Sequence, residues 1–267
     1  MRVKTWAAVA CAGLIAGGVV IAQPPKSEPA KVTPVKGESA PKAEPGKAAD
    51  SFATMISESR TALGKVKDYT CTFTRQELVK GTLSAEQVAE MKVRSAPAAV
   101  YVRFARPDAV AGAEVAFSAT RKSNKMRYRP AGTEGARGFK TLDLDDSKFL
   151  TANRHPVNEW TIAAMLDRVS AAAAREKTLN NTVEVYAGDF QFAGRNVIRY
   201  EVLTRRPHAF RYAHRMLVYV DKETKLPVRF EAYDQPKPGA TVGELFEAYS
   251  FSDLKLNVGL GESSFDY

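Results

Sequence analysis

The chain has 267 residues, of which 45% are hydrophobic and 26% charged, with a formal net charge of +9. Setting aside two N-terminal segments leaves residues 51–267, enough for one sizeable core and too few for two generous domains. The charge on that part falls to +6, a mildly basic balance that suits a soluble domain or an acidic partner; nucleic acid is the disfavoured partner, since an exported protein, as the N-terminus suggests, rarely meets it.

Residues 1–22 read as a secretory signal peptide, with Arg2 and Lys4 before an uncharged stretch from Trp6 to Ala22. Val20-Ile21-Ala22 supplies small residues ahead of Gln23 for a signal peptidase. The alternative is an inner-membrane anchor retained through residues 6–22, marginal in length for spanning a bilayer. Residues 23–50 carry six prolines, five lysines, four acids and no aromatic residue. Such a segment buries too little apolar surface to offset chain entropy and is expected to be a disordered, extended linker. Cys11 lies in the signal, so the mature chain keeps Cys71 alone and forms no internal disulfide.

The first predicted element is a helix from Ser51 to Leu63, with Phe52, Met55, Ile56 and Leu63 at helical spacing, Asp50 or Ser51 as cap and Gly64 as stop. The period then changes to two: Tyr69, Cys71 and Phe73 alternate with Thr70, Thr72 and Thr74. Further strands are expected at Glu86–Arg94, Ala99–Ala105, Ala113–Ala119, Lys125–Arg129 and Phe139–Leu142, separated by turns such as Arg106-Pro107-Asp108 and Ser123-Asn124. A second helix, capped by Asn158, carries Trp160, Ile162, Met165, Leu166 and Val169 as far as Ala174. Strands return at Thr182–Phe190, Asn196–Thr204, Ala213–Val220, Pro227–Tyr233, Glu244–Phe251 and Leu254–Asn257, with a hairpin tip at Asp221–Lys225. Around eleven short strands and two helices, without strand–helix alternation, predict an antiparallel α+β domain.

No nucleophile elbow, P-loop, dinucleotide fingerprint, zinc-protease helix or Cys-x-x-Cys is present. His208 and His214 lie among Arg205, Arg206, Arg211 and Arg215, which repel a metal ion. Asp143, Asp145 and Asp146 read as a solvated turn, lacking the glycine and distal glutamate of a calcium loop. Cys71, on the apolar face of an alternating strand, reads as a core residue. No catalytic residue, metal or cofactor is therefore assigned, and a hydrolase built on Asp143, Asp145 or His155 is the least favoured reading. Two cationic features stand out. Arg127 and Arg129 alternate with Met126 and Tyr128, beside Arg121, Lys122 and Lys125, so one sheet face is apolar and the other faces solvent or anionic headgroups. Arg154-His155-Pro156 precedes the Trp160 helix, and either packs the helix start or serves function.

The C-terminal third, with Asp221, Thr224, Leu226, Pro227, Tyr249, Phe251, Asp253, Asn257, Gly259, Leu260 and Phe265, resembles the ending of LolA-like lipoprotein-carrier domains. The segments VYVRFARPDAVAGAEVAF and NRHPVNEWTIAAMLDRV resemble a bacterial family catalogued as domain of unknown function 1571. The resemblance implies a curled antiparallel sheet forming an unclosed half-barrel, with helices on its concave face and an apolar space between them that takes acyl chains in lipoprotein-carrying relatives. On that basis Tyr101, Phe117, Met126, Tyr128, Trp160, Met165, Met216, Val218 and Phe230 are candidate cleft residues, with Arg127, Arg129, Arg154 and His155 as a polar rim. Each apolar member serves equally as plain core. The expected protein is an exported, monomeric, non-enzymatic carrier or sensor of an acyl chain, lipid or lipoprotein. The alternative is a tethered envelope interaction module with a closed core and a protein partner. Carriage requires a continuous apolar cavity of several hundred cubic ångströms, by order of magnitude, beneath the Trp160 helix.

Overall fold

A computed structural model of the protein describes residues 31–34, 45–121 and 125–266, without the side chains of 34, 45–51 and 184–187. The expected signal, Lys122 and the Ser123-Asn124 turn lie outside the described residues. Thirteen strands among the described residues form one sheet: β1 (Val32–Pro34), β2 (Asp68–Val79), β3 (Thr82–Leu83), β4 (Gln87–Arg94), β5 (Ala99–Arg106), β6 (Glu114–Ser118) and β7 (Lys125–Arg129), then β8 (Lys140–Asp143), β9 (Thr182–Phe192), β10 (Arg195–Thr204), β11 (Arg215–Asp221), β12 (Pro227–Tyr233) and β13 (Leu245–Leu256). Their spatial order is β1-β9-β10-β11-β12-β13-β2-β4-β5-β6-β7-β8, with β3 paired to β2. Every pairing is antiparallel. Because β1 and β8 end the path without pairing to each other, the sheet curls into an unclosed half-barrel.

Period-two alternation sorts the side chains. Tyr69, Cys71 and Phe73 of β2 turn inward beside Phe251 of β13, and the Phe73 and Phe251 rings stack at 5.4 Å. Val100, Val102 and Phe104 of β5 join the same core. Two helices cover this concave face. In α1 (Pro45–Leu63), Phe52 and Met55 are buried, and Ser59 donates to the Lys225 carbonyl at 2.8 Å, which ties the helix to the β11–β12 hairpin. In α4 (Ile162–Thr178), Ile162, Met165, Leu166, Val169, Ala172 and Ala173 form a buried stripe at helical spacing. Two single-turn helices, α2 (Gly132–Gly135) and α3 (Ser147–Leu150), lie in the connection from β7 to α4.

Several boundaries differ from the sequence reading for physical reasons. The first helix begins at Pro45, six residues earlier than expected, because proline's missing N–H costs nothing in a first turn. Val32–Pro34, within the stretch expected to be linker, pairs with β9 and forms the edge strand of the sheet. The two expected C-terminal strands are one, β13, with an irregularity between Ser252 and Lys255 where Asp253 takes φ 52° and accepts from Thr72 Oγ1. Asn158 lies in a 3-10 turn, Val157–Glu159, and Thr161 instead caps α4 by accepting from Ala164 N. Asp146, expected in a solvated turn, caps α3 by accepting from Phe149 N at 2.9 Å.

Cys71 is buried, and burial pushes its thiol pKa up, so the reactive thiolate is suppressed. Alkylation mapped by peptide mass spectrometry is expected to leave Cys71 unmodified in the native protein and to modify it once denaturant is added. Rapid native labelling would show that the β2 core opens readily.

Candidate functional site

The inner face of β2 changes character halfway along. After Tyr69, Cys71 and Phe73, the same alternation points Arg75 and Glu77 inward, and both are buried. On β13 the same row holds Glu247, Tyr249 and Phe251, with Glu247 opposite Glu77 and Tyr249 opposite Arg75. Two carboxylates thus lie side by side within the half-barrel. An isolated buried carboxylate costs several kcal/mol or more, so the positions are tenable only with paired cations and donors.

The partners come mainly from the connection into α4, which enters the half-barrel as a plug. Glu247, 0% exposed, accepts from His155 Nε2 at 2.9 Å, Arg168 Nη1 at 2.7 Å and Tyr212 Oη at 2.6 Å, and faces Arg154 Nε at 3.2 Å. Glu77 accepts from the Arg154 backbone N–H at 2.9 Å and from Tyr249 Oη. Arg154 therefore bridges the two carboxylates, one through its main chain and one through its side chain. His155 Nδ1 lies 3.2 Å from Glu159 Oε2, so both ring nitrogens face carboxylates.

These contacts set the protonation states. Burial works against the charged form of Glu247, but the His155 hydrogen bond and the Arg168 charge outweigh it and lower its pKa. Burial likewise opposes His155 protonation, and hydrogen bonds to Glu159 and Glu247 overcome it, so its pKa is raised. Burial, reinforced by neighbouring Glu247, raises the Tyr212 phenol and keeps it a donor.

Trp160 is the apolar end of the plug. Its indole N–H donates to the His155 carbonyl at 3.0 Å, which couples the ring to the ionic cluster. The ring stacks on Phe73 and Phe149, meets Phe104 edge-on, and carries the Arg75 guanidinium 4.0 Å from its centroid. Arg75 also donates to Gln87 Oε1 and Asn153 Oδ1, and Asn153 donates to the Phe149 carbonyl. A cavity of about 100 Å³ remains beside Trp160, bounded by Arg75, Phe104, Val115, Tyr128, Phe149 and Asn153 among others. Arg75 Nη1 has no hydrogen-bond partner among the described residues, and its nearest carboxylate, Glu77, is 3.6 Å away.

The candidate residues separate into three groups. Met126, Trp160, Met165, Met216, Val218 and Phe230 are buried in the main core, with Phe117 and Tyr128 half-buried against it; Trp160 and Tyr128 border the cavity. Tyr101 requires correction. Alternation turns it to the convex face between the inward Val100 and Val102, where it packs with Ala99, Ala116 and Phe265 beneath the C-terminal turn Glu262–Phe265. The same parity moves Arg127 and Arg129 away from any rim of the cleft: their guanidinium groups flank Phe139 at 5.0 and 5.4 Å, and Arg129 pairs with Glu114. Arg154 and His155 do belong to the plug. The continuous cavity expected beneath the Trp160 helix is absent among the described residues, because Phe149 and Trp160 occupy that space. Glu77, Glu247, Arg75, Arg168 and Tyr212 were missed, although charged residues in the apolar phase of β2 and β13 were a readable sign of Arg75, Glu77 and Glu247.

Residues 66–267 match the family described as "Protein of unknown function (DUF1571)", and the chain belongs to that family. No curated protein shows significant similarity to the chain. Among solved structures, an uncharacterized conserved protein from Thermus thermophilus is 10% identical, covers 81% of this chain and 93% of its own, and gives a TM-score of 0.47. The Mycobacterium tuberculosis lipoprotein LppX gives 12%, 79%, 98% and 0.46 in the same order. For the MucA/MucB complex of Pseudomonas aeruginosa the values are 16%, 83%, 61% and 0.45. None of these likenesses carries an activity to this chain.

Two outcomes follow from the ionic cluster. Glu247→Ala strands several cations and should cost about 3–5 kcal/mol in urea unfolding, whereas a loss below about 1 kcal/mol would contradict the cluster's structural role. His155 has a folded pKa above its ordinary 6.5, so its contribution is fully present below that value and lost as pH rises through the folded pKa. The stability gap between the parent and His155→Gln should therefore be widest in mildly acidic solution and shrink towards alkaline pH. A gap that grows with pH would reverse the assigned sign.

Proposed function

We propose that the domain is an exported, non-enzymatic binding protein of the bacterial cell envelope, whose half-barrel takes one acyl chain when the plug withdraws. The observation that carries this reading is the cavity beside Trp160, lined by apolar Phe104, Val115 and Phe149 and by Arg75, one of whose buried guanidinium nitrogens has no hydrogen-bond partner among the described residues. At about 100 Å³ it is smaller than the roughly 300–1,000 Å³ of ordinary ligand pockets. A full chain therefore has to displace Phe149 and Trp160. The chain would gain about 0.8 kcal/mol for each methylene it buries, and Arg75 is suited to an anionic or carbonyl head. The secretory character of residues 1–22 and the carrier-like ending of the sequence agree with this role.

A closed protein-interaction module is the second reading, and the filled interior favours it. Native mass spectrometry of the protein purified from envelope extract separates the two. Carriage predicts a chain bearing one lipid mass, with the loaded fraction rising in Phe149→Ala, where the plug is thinned. If neither protein carries lipid, and neither acquires a long-chain fatty acid on titration, the carrier reading fails.

A further inference from the structure

The loop from β10 to β11, residues 205–214, is the most conspicuous surface that the plug and cavity leave unexplained. Phe210 projects from it at 78% exposure, and Leu179, just beyond α4, is 51% exposed at the same end of the helix. A bare phenylalanine on a loop of ordinary mobility would mean little, but this loop is pinned from several sides. Arg175 donates to the Phe210 carbonyl, His208 lies 2.8 Å from buried Glu176, and Asn181 exchanges hydrogen bonds with the Arg206 backbone. Arg211 pairs with Asp234 at 2.9 Å, and Tyr212 reaches Glu247. The backbone is thus held in place while the phenyl ring faces water.

The charges around the ring identify that partner. Arg175, Lys177, Arg205 and Arg206 are all exposed around this end of α4 and the loop. The nearby acids are already engaged, Glu176 by His208 and Asp234 by Arg211. An exposed aromatic tip on a segment that also carries exposed cations matches a bilayer interface, where the ring enters the headgroup boundary and the cations meet anionic lipid. We propose that this loop and the end of α4 dock the protein on an anionic phospholipid bilayer, with Phe210 as the inserted wedge. The proposal rests on the envelope location of the preceding reading and not on its cavity, so lipid-free protein can still dock and a loaded protein can fail to.

The test uses the full chain carrying Phe210→Trp, read as a difference spectrum against the parent, whose own tryptophans cancel. Docking predicts a blue-shifted emission, shielded from a soluble quencher, on vesicles of phosphatidylcholine mixed with phosphatidylglycerol. It predicts little change on phosphatidylcholine alone. Adding Arg205→Gln and Arg206→Gln should weaken vesicle partition about fivefold per cation removed, and high salt should weaken it as well. Lys177→Gln, on the exposed face of α4, provides a second route should the double variant unfold. An unchanged spectrum on every vesicle overturns the proposal, as does an equal shift on neutral lipid. A shift produced by an acidic polypeptide but not by vesicles also overturns it, and would assign the surface to a protein partner.

Discussion

A carboxylate with no exposed surface, Glu247, organises the interior of this protein. Its burial is tolerable only because Arg168 from α4, Arg154 and His155 from the plug and Tyr212 from the β10–β11 loop converge on its two oxygens. Three separate pieces of chain are therefore tied to one position on β13. Removing any one donor leaves charge behind in a poorly hydrated place. The helix, the plug and the loop are thus coupled through a single side chain.

The half-barrel explains why such a latch is needed. An unclosed curled sheet exposes a concave apolar face that must be covered, and α1 and α4 cover only part of it. The remainder is filled by Phe149 and Trp160, delivered on a connection whose regular structure is limited to single turns. Such a connection has little helical or sheet hydrogen bonding to hold it in place. The ionic contacts of Arg154 and His155, with the Trp160 indole donating to the His155 carbonyl, supply that restraint. The charged contacts thus hold an apolar plug against the inner face of the sheet.

Much of the fold was legible because strand periodicity is a strong signal. Tyr69, Cys71 and Phe73, and the Asp221–Lys225 hairpin tip, sit as their spacing predicts, with Asp221 accepting from the backbone N–H groups of Glu223 and Thr224. Other features depended on partners distant in sequence. The Glu77–Glu247 pair joins residues from opposite ends of the domain, and no local pattern announces which cations neutralise them. The resemblance makes Tyr101 a cleft candidate, whereas strand parity sends it outward; its neighbours Val100 and Val102 carry that information. The same parity that correctly separated Arg127 and Arg129 from Met126 and Tyr128 also removes both arginines from the cleft. Trp160, a candidate cleft residue, borders the small cavity and also fills much of the space beneath its helix.

The central claim is that the plug, residues 147–161, is a separately opening unit restrained at Glu247. Native-state hydrogen exchange resolved by peptide tests it directly. The account predicts that amides of the plug exchange through a local opening of lower free energy than β2 and β13, and that Glu247→Gln lowers that opening energy while leaving the sheet's protection in place. Plug and sheet amides exchanging together, only through global unfolding, with Glu247→Gln shifting both equally, would contradict it.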